Sequence, residues 1–155
     1  MKRAWWVKQV GVGLASVAML VGMAWADPIG TANVPQILNA QTFHGSSEQS
    51  TFRTTDGNID FAATYYDDNA ACVGVNPVLV QLFVFNLEGL LVSQTDLSGV
   101  LGPAPGSHYT GLNVGVDVGA FGGTGSFKFT WLVRDCTNTR SLVLPEFVTF
   151  RIVSP

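Results

Sequence analysis

The sequence predicts an all-β domain: an antiparallel β-sandwich of about seven or eight strands, closed by one disulfide. Three observations carry this. After Ala26 the chain repeats short β-rich runs, each ended by Gly, Pro, Asn or Asp, at spacings near the ~10 residues expected of a sandwich. No apolar period of about 3.6 residues appears in that stretch. Cys72 and Cys136 are the only cysteines, and they follow an export signal. With 155 residues, 47% apolar and 12% charged, the chain is not disordered and is sized for a single domain with its own core.

Residues 1–26 read as a cleaved secretory signal peptide. Lys2, Arg3 and Lys8 form the positive start, Val10 to Met23 the apolar run, and Ala24-Trp25-Ala26 the small-x-small cleavage site. The run is shorter than the ~20 residues that span a bilayer, and no later stretch is long and apolar enough to do so. The expected location is secreted, periplasmic or cell-surface, with no transmembrane segment in the mature chain. In that oxidising setting Cys72 and Cys136 pair. A bridge between positions this far apart stabilises by about 4 kcal/mol on the loop-entropy argument.

Residues 27–155 form the expected domain. The 27–41 stretch, with Pro28, Gly30 and Pro35, reads as an extended N-terminal arm or an irregular first strand. As an arm it would add a strand to a neighbour's sheet; otherwise it pairs in its own. Ser47 to Thr54 is a modest strand. Asp56-Gly57 reads as a tight hairpin turn into Asn58 to Tyr66, where Ile59, Phe61, Ala63 and Tyr65 share one face. In Val78 to Leu87, Val78, Val80, Leu82 and Val84 share one face and Leu79, Phe83, Phe85 and Leu87 the other, which only Gln81 interrupts, so the strand is either central and covered or presents a sticky face. Glu88-Gly89 turns the chain into Leu90 to Asp96, and 97–106 is a loop. His108 to Val118 alternates, with Leu112, Val114, Val116 and Val118 inward. A glycine-rich turn follows, and then Ser126 to Asp135, with Phe127, Phe129, Trp131 and Val133 on one face. Leu142 to Val153, broken at Pro145, closes the domain.

This pattern of strands resembles an immunoglobulin-type sandwich in general form, and the resemblance is architectural only. It departs from the antibody arrangement because Cys136 falls off the inward parity of residues 127–133. The bridge is therefore expected to tie loops or strand ends rather than cross the core.

Several chemistries are excluded or weak. Residues 27–155 carry five cations against eleven acids, a balance of −6, which argues against nucleic-acid binding. A blue-copper site lacks both its Met and a His after Cys136, and zinc lacks its ligand set. Calcium has candidate oxygen ligands at Asp56, Asn58 and Asp60, and at Asp67 and Asp68, though Phe61 stands where a calcium loop needs Gly. No G-x-S-x-G elbow is present. Asp67, Asp68 and His108 are the only weak acid–base candidates. Glycines 111–125 precede a strand rather than a helix, so they are turn and bend formers, not a phosphate loop.

Three functional readings follow. The first is a non-catalytic protein, not an enzyme, acting in protein–protein interaction or surface assembly through a partner or by self-association. Its expected interaction surface is Leu79, Phe83, Phe85 and Leu87. The second is a carbohydrate- or calcium-binding module, in which Tyr65, Tyr66, Tyr109 and Phe121 stack on a glycan; apart from calcium no cofactor is expected. The third is a secreted hydrolase.

Overall fold

The computed structural model describes residues 35–99, 101, 106–144 and 146–155. The expected signal peptide over 1–26, the 27–34 part of the expected arm, Pro103, Pro105 and Pro145 lie outside the described residues. Ten strands follow in order: β1 (Gln36–His44), β2 (Ser47–Glu48), β3 (Thr51–Arg53), β4 (Asn58–Tyr66), β5 (Leu79–Asn86), β6 (Leu91–Asp96), β7 (Tyr109–Asp117), β8 (Gly125–Arg134), β9 (Ser141–Val143) and β10 (Val148–Val153). Two one-turn 3-10 helices, Ala70–Cys72 and Val118–Phe121, are the helical elements among the described residues.

The strands form two sheets. Sheet A has the order β2-β1-β4-β7, and sheet B the order β3-β10-β8-β5-β6, with β9 pairing to β8. The β-sandwich expected from the sequence is thus present. Seven strands have six or more residues, and the other three are the short β2, β3 and β9. One pairing departs from the antiparallel expectation: β3 runs parallel to β10, with Ile152 opposite Phe52.

That pairing also corrects the Asp56-Gly57 hairpin. The run expected as one strand over 47–54 splits into β2, which joins sheet A, and β3, which joins sheet B. Since β4 belongs to sheet A, the 54–57 turn is a crossover between sheets. Asp56 closes it: its carboxylate accepts from the Arg53 amide at 2.7 Å, and its own amide donates to the Arg53 carbonyl at 3.0 Å. The described part of the arm pairs in its own sheet. Gln36, Ile37 and Leu38 lie opposite Tyr66, Tyr65 and Thr64 of β4. A bulge between Leu38 and Gln41, with Asn39 at φ 53°, shifts the register.

The inward parities read from the sequence meet between the sheets. Ile59, Phe61, Ala63 and Tyr65 of β4 face Val80, Leu82 and Val84 of β5, and all are buried. Phe127, Phe129, Trp131 and Val133 of β8 complete the wall, with Trp131 fully buried. Phe61 sits at the centre of an aromatic cluster, its ring centroid 4.9 Å from Phe129, 5.4 Å from Phe150 and 6.3 Å from Phe121. Each buried side chain of this size contributes about 1.5–3 kcal/mol, and the edge-on ring pairs add to that.

Cys72 and Cys136 are bonded, with Cα atoms 5.6 Å apart. The bridge ties the Ala70–Cys72 turn to the end of β8, at one end of the sandwich, as the off-parity position of Cys136 anticipates.

Candidate binding face on sheet A

Side chains alternate across a strand, so burying Ile59 to Tyr65 turns Asn58, Asp60, Ala62, Thr64 and Tyr66 outward. The β4–β7 register then sets the outer face pair by pair. Tyr66 lies opposite Tyr109, Thr64 opposite Gly111, Ala62 opposite Asn113, Asp60 opposite Gly115 and Asn58 opposite Asp117. From β1, the bulge brings Gln41 opposite Ala62, on the same side. The face is therefore polar and low in relief, with two tyrosines at one end and carboxylates at the other. Of its two glycines, Gly111 lies open and Gly115 lies under the Asp60 side chain. A Cβ at Gly111 would meet nothing within 4 Å, whereas one at Gly115 would come within 3.0 Å of the Asp60 Oδ1.

The tyrosines form a shelf. Their ring centroids are 4.9 Å apart, tilted by 45°, and Tyr109 is 52% exposed. The His108 ring lies 6.0 Å from Tyr66. Backbone and side-chain bonds hold the shelf from beneath. The Asp67 amide donates to the His108 carbonyl at 3.0 Å. The His108 Nδ1 lies 2.7 Å from the Asp67 carbonyl, so Nδ1 carries the proton and donates. The Tyr109 amide donates to the Ser107 hydroxyl at 3.0 Å. Asp67 itself is buried; its carboxylate accepts from the Tyr65 hydroxyl at 2.8 Å and from the Asn69 amide at 2.9 Å. Burial, reinforced by that carboxylate, holds the Tyr65 hydroxyl far above its ordinary pKa, so it stays a proton donor.

The neighbouring corner is built on Asp135. Its carboxylate accepts from the Thr137 hydroxyl and from the amides of Thr139 and Arg140, at 2.6, 2.8 and 3.0 Å. Burial pushes its pKa up, and these hydrogen bonds outweigh burial and leave it below the ordinary aspartate value. Asp67, Cys72 and Asp135 bring their ligand atoms within 4.8 Å of one another. They do not make a metal site of the usual kind. The Cys72 sulfur is bonded to Cys136, and both carboxylates already accept the hydrogen bonds described above.

The structure redistributes the residues singled out from sequence. Tyr65 and Phe121 are buried, Phe121 against Phe61, Phe127 and Phe150, so neither offers a ring to a ligand. Only Tyr66 and Tyr109 of the four candidate stacking residues share the outer face. Of the expected interaction surface, Phe85 is buried, with Phe147 edge-on at 5.8 Å and Phe83 stacked at 6.4 Å. Leu79 and Phe83 are half-buried, and Leu87 is exposed in the β5–β6 turn. Among the calcium candidates, Asp56 is engaged by the Arg53 amide and lies 3.6 Å from the His44 Nδ1. Asn58 and Asp60 sit on the outer face, Asp67 is buried, and Asp68 is half-buried in the following turn.

Sequence reasoning did not single out Asn113, Gly111, Gly115 or Gln41 as members of a site. The strict alternation of 108–118 carried the signal, because it placed small and polar residues on the outward parity. What it lacked was the partner strand.

No protein family and no curated protein matches the chain in sequence. The fold is an all-β sandwich with one disulfide. Among solved structures it is similar to the crystal structure of the C-terminal domain of Wzt, with a TM-score of 0.55 and 10% identity, covering 83% of this chain and 81% of that one. The likeness is one of fold.

Proposed function

We propose that this protein is an exported, non-catalytic glycan-binding module whose binding surface is the outer face of sheet A. The observation that carries the reading is the Tyr66–Tyr109 shelf at the end of an open, polar, glycine-punctuated sheet face. Sugars present both apolar C–H faces and hydroxyls. The rings stack on the first, and the amide and carboxylate side chains of Gln41, Asn58, Asp60 and Asn113 bond the second. No catalytic group is needed. The Nδ1 of His108 is committed to the Asp67 carbonyl, and Asp67 lies buried against Tyr65. Nor is a cofactor needed. Export is supported by the Lys2–Ala26 sequence pattern. Retardation on gels containing soluble polysaccharides tests the reading. The wild type is expected to be slowed, while Tyr66→Ala and Tyr109→Ala run as if no polysaccharide were present.

A second reading, contact with a protein partner, has its own observation. Leu87 and Leu90, at the β5–β6 turn, are 59% and 53% exposed, and Leu91 adjoins them. In native mass spectrometry, a complex or oligomer lost in the Leu87→Ser, Leu90→Ser double variant supports this contact. One unchanged by it removes the hairpin from consideration.

A further inference from the structure

The charge layout of the two sheets narrows the ligand class. Among the described residues every lysine and arginine lies on sheet B or its turns. Arg53 is on β3, Lys128 and Arg134 on β8, Arg151 on β10, and Arg140 in the turn after β8. The strands of sheet A carry none. Their outer face instead displays Asp60 and Asp117, diagonal neighbours across β4 and β7, and Glu48 is exposed on the flanking β2. Asp117 is fixed in place, its Oδ1 accepting from the Gly119 amide at 2.7 Å. A chain bearing carboxylates or sulfates would bring like charge onto these groups with no cation on the face to offset it.

The dimensions add a second constraint. Asn58 to Tyr66 pairs with β7 along its whole length. At about 3.4 Å per residue this is a run of about 27 Å, several times the width of one sugar ring. Gly111 leaves the backbone of β7 bare beside the tyrosines, so a ligand can lie flat against the strand there, while the Asp60 and Asn58 side chains reach over Gly115 and present their polar ends to it.

We infer that the outer face of sheet A accepts an uncharged glycan as an extended segment of several units and discriminates against polyanionic glycans. The inference rests on the glycan-binding reading and specifies its ligand. The occupant is set by charge complementarity: hydroxyl-rich and neutral, stacked at Tyr66 and Tyr109 and hydrogen-bonded toward Asp60.

Titration calorimetry of the full mature chain tests this. The probes are neutral oligosaccharides of glucose, mannose, xylose and N-acetylglucosamine, from one to about six units, with polygalacturonate and alginate as the charged set. At least one neutral series is expected to bind, at least about tenfold more tightly at six units than as the monosaccharide, and the polyuronates at least about tenfold more weakly. Tyr109→Ala, at an exposed position, is expected to cut neutral-chain affinity about tenfold with an unchanged melting temperature. Asp60→Asn combined with Asp117→Asn is expected to raise polyuronate binding. If polyuronates bind the wild type as tightly as neutral chains, and that binding is lost in Tyr109→Ala, the charge inference falls while the sheet A reading stands. If no probe binds, or binding survives Tyr66→Ala with Tyr109→Ala, both fall. The same holds if the face is covered by a second copy, seen as a dimer that Tyr109→Ala dissolves.

Discussion

Sheet A turns Tyr66, Tyr109, Asn113 and Asp60 outward, whereas sheet B turns outward Lys128, Arg151, Phe83 and Phe85. Both faces obey the same two-residue alternation, and both back onto the same core. They differ in what lies over them. On sheet B, Phe147 covers Phe85 edge-on, and the Lys128 ammonium lies 4.9 Å above the Phe147 ring. Leu132 packs with Leu142 and Val143 of the returning chain. The apolar outward residues of β5 and β8 are thus largely consumed by the protein's own last segment. On sheet A the outward residues of β4 and β7 are small, polar or aromatic, and the two tyrosines keep accessible ring surface. Apolar residues on both faces of a strand mark a covered position here, while a face of glycines and amides with two aromatics marks an open one.

The largest expected effects concern what the faces share. Replacing Cys72 and Cys136 together by Ala should lower unfolding stability by about 4 kcal/mol, measured by urea denaturation. Because the bridge anchors the turn beside Asp67, which clamps His108, the same variant should also weaken glycan binding through the shelf. A stable variant with intact binding would uncouple the two. Phe61→Ala should cost about 3–5 kcal/mol, since its ring contacts both walls of the core.

The faces should separate next. Tyr109→Ala should leave stability within about 0.5 kcal/mol of wild type, as an exposed substitution does, yet lose glycan retention. Lys128→Ala and Arg151→Ala on sheet B should leave retention unchanged. Loss of retention in the sheet B pair would reverse the assignment of faces.

A smaller effect is expected from pH. The folded-state pKa of Asp135 is depressed, so its contribution to stability is fully present above the ordinary aspartate value of about 3.9 and fades as pH falls below it. Asp135→Asn should therefore flatten the fall in urea midpoint below about pH 4. The smallest effect, none, is expected from calcium. Melting temperature should be the same with calcium and with EDTA, because Asp67 has both carboxylate oxygens engaged, by Tyr65 and Asn69, and the Asp56 Oδ2 is held by the Arg53 amide.

The sandwich was legible because burial on one side of a strand imposes parity. The inward sets of β4, β7 and β8 follow directly from alternation, and the disulfide follows from the even cysteine count together with the expectation of export. What alternation does not encode is pairing. Asp56-Gly57 has the chemistry of a hairpin turn, but β3 finds its partner in β10, nearly a hundred residues later, so the same turn becomes a crossover. The site was half legible for the same reason. In the sequence Tyr66 and Tyr109 read as separate strand-end aromatics. Their contact depends on the β4–β7 register, which also puts Gly111 and Asn113 beside them. Tyr65 and Phe121 enter the stacking set by residue type and by their places at a strand end and in a loop. The inward parity of Tyr65 was visible in the strand, whereas Phe121 is turned into the core by the Val118–Phe121 helical turn, which has no periodic signal.

An amide chemical-shift map of 15N-labelled residues 27–155, titrated with a neutral oligosaccharide that binds them, tests whether the binding face is the outer face of sheet A. The expected shifts are concentrated at Tyr66, Tyr109, Gly111 and Asn113, fade toward Asn58 and are absent from β6 and β10. Shifts concentrated at Leu87–Leu91 or around Lys128 and Arg151, with sheet A silent, would contradict it.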